Sequence, residues 1–484
     1  MPVRLSRRHV LALGAAGAGG AAAVRFAAFP GGRSGALPAK AVAAGGAPAA
    51  NPLAEPRTLA AHLLRRAGFS YSTADLDSAA AMPYGDLVDR VVSTPPEPMT
   101  MPAQLGQYQA VVVAWYAHMA TTAAQFPERM TLFWHGLLTS DYRKAAGLPL
   151  VAQQNALYRQ KGVTDFRALL SAVTIDPLMM RYLDLDVSTA KAPNENYSRE
   201  LMELFTLGVG HFTENDVREG ARALSGLRLA FVDPSGAVTA LPKRPKVKNP
   251  MEQQQYYQRI SMMVEQGYRF AGRLNPRLHD NGTKTYLGRT GNLGPDDVVD
   301  IILAQEACAP FVATKALEYF ATPNPSKELV ASVASAFRSS GYDIKAMMRA
   351  IFTSADFKAA ANYRSLVRSP VDYMVSTMRV LARPELARQC AQAGQYMDQV
   401  LYDMPTVGGW PVNAGWVSSG SLLSRINFAG MVARSSAALP DPATAVADQL
   451  DGIVGADTAA VFNASRTTAD KWFAVLASPE FQLK

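Results

Sequence analysis

Apolar residues recur at helical spacing from residue 57 almost to the end of this 484-residue chain, and the pattern lapses only over residues 228–290. That feature decides most of what the chain can become. Too few segments alternate at period two to build a large sheet, so helices must bury their stripes against other helices. Residues 57–67 place Leu59, His62 and Leu63 on one face. Helices are expected at 86–92, 104–121, 128–138, 150–161, 166–173, 177–183, 194–207 and 215–224. Asp165 and Asp176 stand where N-caps belong, and Thr213 precedes Asp216 at capping-box spacing. Further helices are expected at 295–304, 310–320, 327–339, 344–353, 370–381 and 421–432. Within the lapse, LRLAFVDPSGAVTALP alternates around a Pro-Ser-Gly turn and reads as a hairpin. KRPKVKNP reads as a basic surface loop, and the stretch from Gly267 to Gly288 as extended chain with turns. The expected class is mainly α: a single large multi-helix domain, residues 55–484, with a small β-hairpin and extended insertion at 228–290.

The first fifty residues differ in kind. SRRHVLALGAAGAGGAAA pairs Arg7 and Arg8 with a weakly apolar run of Ala and Gly. This looks like a twin-arginine export signal, expected over residues 1–41 and followed by a flexible linker at 42–54. The run is too short and glycine-rich for a transmembrane helix, so the mature chain is expected to have no membrane span and to be periplasmic or extracellular. The signal also accounts for most of the formal charge of +8. Six of the 48 basic residues lie in the first fifty, where no acid occurs, which leaves 42 against 40. Nothing so balanced argues for nucleic acid. Cys308 and Cys390 lie in no metal-ligand spacing; they form either an export-permitted disulfide or two buried thiols.

Six segments in order resemble one family: HLLRRAGFS, RMTLFWHGLLTS, NENYSRELMELFTLG, FTENDVREGARALSGL, HDNGTKTYLG and GWPVNAGWVSSGSLLSRINFA. Together they are similar to the bacterial domain of unknown function 1800, over roughly residues 55–480. The resemblance implies an exported, largely helical protein and supplies no reaction. One departure stands out. The family often has a second His two places after the Trp-His of the Phe-Trp-His segment, and an Asn between. Here Leu137 and Gly136 occupy those places.

The chemistry-bearing residues concentrate in NENYSRELMELFTLG. If 194–207 is one α-helix, Tyr197, Leu201 and Leu204 share a core stripe, and Asn196, Glu200 and Glu203 share its neighbour. Two carboxylates three residues apart repel unless a proton, a metal or an arginine compensates. Arg199 is four residues from both Glu195 and Glu203, which makes a structural ion-pair helix one reading. The other is a pocket wall with one carboxyl kept protonated as a general acid. Candidate catalytic residues are therefore Glu200, Glu203, His135 beside Trp134, and His211 in the loop after Gly208 and Gly210. Candidate binding residues are Glu195, Asn196, Arg199, His279, Asp280, Lys284, Trp410 and Trp416, the two tryptophans as a platform for sugar rings. No cofactor is expected. A divalent metal held by carboxylates and histidine stays open, although no HExxH or ExxH spacing occurs. GxSxG, Walker and post-strand GxGxxG motifs are absent as well. The leading expectation is a carboxylate-dependent hydrolase acting on cell-envelope or extracellular glycan. The alternatives are a non-catalytic envelope scaffold and a metal-dependent enzyme using Glu and His ligands.

Overall fold

Most expected helices form, and capping residues set where they begin. Asp165 accepts from the Ala168 N–H, and Asp176 from the Met179 N–H. Thr213 and Asp216 exchange side-chain and backbone bonds in a capping box that opens helix Glu214–Ala223. The computed structural model describes residues 51–102, 107–146, 148–243, 250–435 and 438–484. The expected signal at 1–41, most of the linker and the heart of the basic loop lie outside these residues.

The molecule is mainly α-helical with a small β element. β1 (Leu227–Val232) pairs antiparallel with β2 (Val238–Thr239) and with β3 (Arg269–Leu274), in the order β2-β1-β3. β4 (Lys284–Tyr286) and β5 (Arg289–Gly291) form a separate hairpin. The extended reading of 228–290 missed one element: helix Pro250–Glu265 stands between β2 and β3. Its three consecutive glutamines hide the period, and Tyr256 and Ile260 are the apolar residues it buries among the described side chains.

Two apolar clusters make up the core. Helix Gln125–Leu137 serves both: Met130, Phe133 and Trp134 belong to one, Leu132 to the other. At ~1.5–3 kcal/mol per buried large side chain, this helix is among the most firmly held elements of the fold.

The segment 194–207 is not one α-helix. Residues Asn196–Glu200 are α-helical, and Leu201–Thr206 form a π-helical turn. The Leu207 and Gly208 N–H groups both donate to the Met202 carbonyl, 2.8 and 3.0 Å away. Gly208, at φ +83°, lets two successive N–H groups converge there. The Thr206 hydroxyl donates to the Leu201 carbonyl inside the widened turn. Residue positions past Glu200 are thereby rotated from those of a regular helix. Cys308 and Cys390 are both buried free thiols, and burial pushes Cys308 up to about 12.

Candidate functional site

A cleft of about 460 Å³ opens where four elements meet. Helix Gln125–Leu137 contributes Leu132, Phe133, Gly136 and Leu137. The π-helical turn contributes Glu203 and Leu204, with Gly208 and Val209 just beyond it. Helix Cys308–Phe320 contributes Phe311, Lys315, Glu318 and Tyr319. The loop from Gly408 to Trp416 contributes Trp410, Pro411, Val412 and Asn413, and Leu366, Val367, Ser369, Gln399 and Lys484 also line the space. The walls are largely apolar and aromatic, with a few charged groups among them, the usual make-up of a ligand site. A shallower hollow of about 560 Å³ beside Pro323 and Pro325 shares Glu318 but has no aromatic wall.

Backbone geometry seats the tryptophan loop. Gly409 has φ +84°, and a Cβ there would be driven into the Gly136 carbonyl oxygen. Gly136 lies against the Trp410 ring, and a Cβ there would meet it at 3.7 Å, an ordinary van der Waals contact. Trp410 packs edge-on against His135, with ring centroids 5.2 Å apart, and Trp416 is nearly buried. The indole Nε1 of Trp410 is buried without a hydrogen-bond partner among the described residues.

His135 lies behind this wall rather than in the cleft. It is fully buried, its ring meets Trp115, Tyr402 and Trp410, and its Nε2 accepts from the Tyr402 N–H at 3.1 Å. Burial drives its pKa down to about 3, so the imidazole is neutral. Nε2 is thus the unprotonated nitrogen.

The π-helical turn separates the two glutamates. Glu203 lines the cleft; Glu200, half-buried, is not among the lining residues. Burial, then the Glu203 charge, raises the Glu200 carboxyl above its usual range. Arg199 makes its two 2.7 Å bonds to Glu214 of helix Glu214–Ala223, while its charge still offsets part of the rise at Glu200. Glu195 is 3.7 Å from the same guanidinium, and Asn196 is exposed, its N–H bonded to Asn194. His211 is exposed in the loop whose earlier residues, Gly208 and Val209, reach the cleft.

His279, Asp280 and Lys284 meet elsewhere, around a closed turn. His279 Nδ1 bonds the Ser225 carbonyl oxygen at 2.9 Å, and Asp280 takes a 2.7 Å bond from Arg222. Lys284 is buried with Nζ donating to the carbonyls of Asp280 and Gly282 and to Asn292. Every proton of that ammonium has an acceptor, which is what allows it to be buried. Among the described residues, no three His, Cys, Asp or Glu side chains gather as a metal site would require. None of the described helices is long and apolar enough to cross a membrane.

The profile of the DUF1800 family, described as protein of unknown function, matches residues 62–483. The chain belongs to that family. No curated protein and no solved structure matches it. In this DUF1800 protein the two departures from the family's Trp-His segment, Gly136 and Leu137, both line the cleft. The sequence reading missed Lys315, Glu318, Tyr319 and Lys484. The first three could have been found: with Phe311 they fall at i, i+4, i+7 and i+8, a mixed charged and aromatic face.

Proposed function

We propose that this DUF1800 protein is a hydrolase of extracellular or cell-envelope glycan, with its substrate lying in the cleft between Trp410 and helix Cys308–Phe320. The observation that supports it is that Glu203 and Glu318 enter one aromatic-lined cleft from two different helices. Glycosidic cleavage needs two carboxyl groups flanking the scissile bond, one donating a proton and the other activating water or attacking. Aromatic faces hold sugar rings by stacking, and Trp410 and Tyr319 both line the cleft. Of the two glutamates expected to act together, Glu203 keeps its place in this reading and Glu318 replaces Glu200 as its partner. Such a substrate fits export through a signal at residues 1–41.

The test is release of reducing ends from a panel of envelope and extracellular polysaccharides. Glu203→Gln and Glu318→Gln should each keep the melting temperature and the affinity for substrate, and lower turnover by about 10²-fold or more. A second reading has support of its own. Glu318 lies 3.9 Å from Lys315, an ion pair that would hold it as an acceptor. If the wild-type protein binds a glycan tightly and releases no ends, the cleft belongs to a non-catalytic envelope binding protein.

A further inference from the structure

Beneath the cleft lies a buried excess of positive charge. Arg66, Arg129, Arg368 and Lys484 are all buried around one carboxylate, Asp372. Arg129 Nη2 donates to Asp372 at 2.7 Å and Lys484 Nζ donates at 2.9 Å. Burial alone would raise the Asp372 carboxyl, but Arg129, Lys484 and Arg368 hold it well below the usual range. Four basic side chains therefore share one acidic side chain. Isolated buried charge is costly unless something of opposite sign meets it. The shortfall is visible in single atoms: Arg129 Nη1, Arg66 Nη1 and Arg66 Nε are buried with no hydrogen-bond partner among the described residues.

The excess faces the cleft through two residues. Tyr319 and Lys484 both line it. Lys484 Nζ lies 5.1 Å and the Arg129 guanidinium carbon 5.5 Å from the centroid of the Tyr319 ring. Lys315 stands on the same wall as Tyr319, one helical turn away, with Glu318 beside it, and Glu203 is on the neighbouring element. Burial, reinforced by Arg129, pushes the Lys484 ammonium down to about 7, a lysine under strain from its cationic neighbours. A ligand oxyanion would relieve that strain and restore the full charge.

We propose that the Lys484 end of the cleft is an oxyanion subsite, so that the ligand is an acidic carbohydrate bearing a carboxylate or sulfate group. This rests on the glycan reading above and narrows it. Lys484 contributes the hydrogen bond, and Arg129 and Arg368 contribute the field behind it.

The experiment is titration calorimetry on the full chain with four oligosaccharides of matched length: uronic-acid, its methyl ester, sulfated and neutral. The uronic or sulfated form should bind about tenfold tighter than the ester or neutral form, the value of one charge-assisted bond. The uronic and sulfated arms identify which oxyanion is preferred. That preference should weaken with salt and vanish in Lys484→Met, while Lys484→Arg keeps it. Equal affinity for all four, or an acid preference that survives Lys484→Met, would overturn the subsite. A separate arm uses sodium sulfate and sodium citrate as probes of thermal stability. If no sugar binds but these anions raise the melting temperature of wild type and not of Lys484→Met, the subsite stands and the glycan reading falls. If neither sugars nor anions act, the subsite is refuted.

Discussion

Gly409 shows how one backbone position places a functional side chain. Its φ of +84° is in the region L-residues avoid, and the neighbouring Gly136 carbonyl occupies the space a side chain would need. Gly409→Ala should therefore cost about 1–3 kcal/mol from the dihedral alone, with the clash adding to it. Because the strain falls next to Trp410, the loss should be seen in both denaturant midpoint and tryptophan fluorescence. A variant with unchanged midpoint and emission would mean that the loop is not seated as described. The same scale explains what the sequence leaves open at His135. A histidine beside a tryptophan on an apolar helix gives no sign of whether its ring faces solvent. Here three aromatic rings enclose it, and its one bond is to a backbone N–H 267 residues away.

At the scale of elements, helices are legible because their signals are local. Period and flanking turns alone place a helix at 150–161, and the helix Leu150–Lys161 has those ends. The Thr213–Asp216 box fixes another start. The π-helical turn is not legible, since its extra residue is stabilised by a Gly208 C-cap and by packing against helix Cys308–Phe320, neither of which alters the local pattern. A stripe drawn through Glu200 and Glu203 assumes 100° per residue across that turn, and so pairs two glutamates of which one lines the cleft. Asp176 adds a measurable consequence of capping inside a core. It caps helix Pro177–Tyr182, accepts from Gln154 at 2.7 Å, and is pushed up to about 7 by burial. A carboxyl raised on folding stabilises the native state fully below its unfolded value of about 3.9, and that contribution is lost as pH rises toward 7. Asp176→Asn keeps an acceptor for the cap and cannot ionise. Its denaturation free energy should gain on that of wild type steadily between about pH 4 and pH 7, by at most about 1.4 kcal/mol for each pH step of one. Parallel pH curves for the two proteins would count against a raised Asp176.

At the scale of the whole molecule, residues from the two ends of the described chain share one buried ionic centre. Arg65, in helix Pro56–Ala67, donates two bonds to Asp451, at 2.8 and 2.7 Å, across 386 residues. Tyr363 adds a 2.9 Å bond, and Arg364 approaches at 3.5 Å. Both partners of the central pair are almost fully buried. No sequence pattern announces such a closure, because its members lie in separate loops and helices and find each other once the two cores have formed. Removing the carboxylate charge leaves Arg65 and Arg364 facing each other in a site that water does not reach. Breaking a buried pair from one side costs about 3–5 kcal/mol, far more than an exposed pair. The comparison that isolates the effect is Asp300→Asn, which removes an exposed pair with Arg167. Asp451→Asn should lower the unfolding free energy by the larger amount and shift one cooperative transition as a unit, because the contact joins helix Pro56–Ala67 to the C-terminal region. Asp300→Asn should change it by less than about 1 kcal/mol. Two separated transitions in Asp451→Asn, recorded by far-ultraviolet circular dichroism and by tryptophan fluorescence, would show instead that the ends fold independently of the centre that joins them.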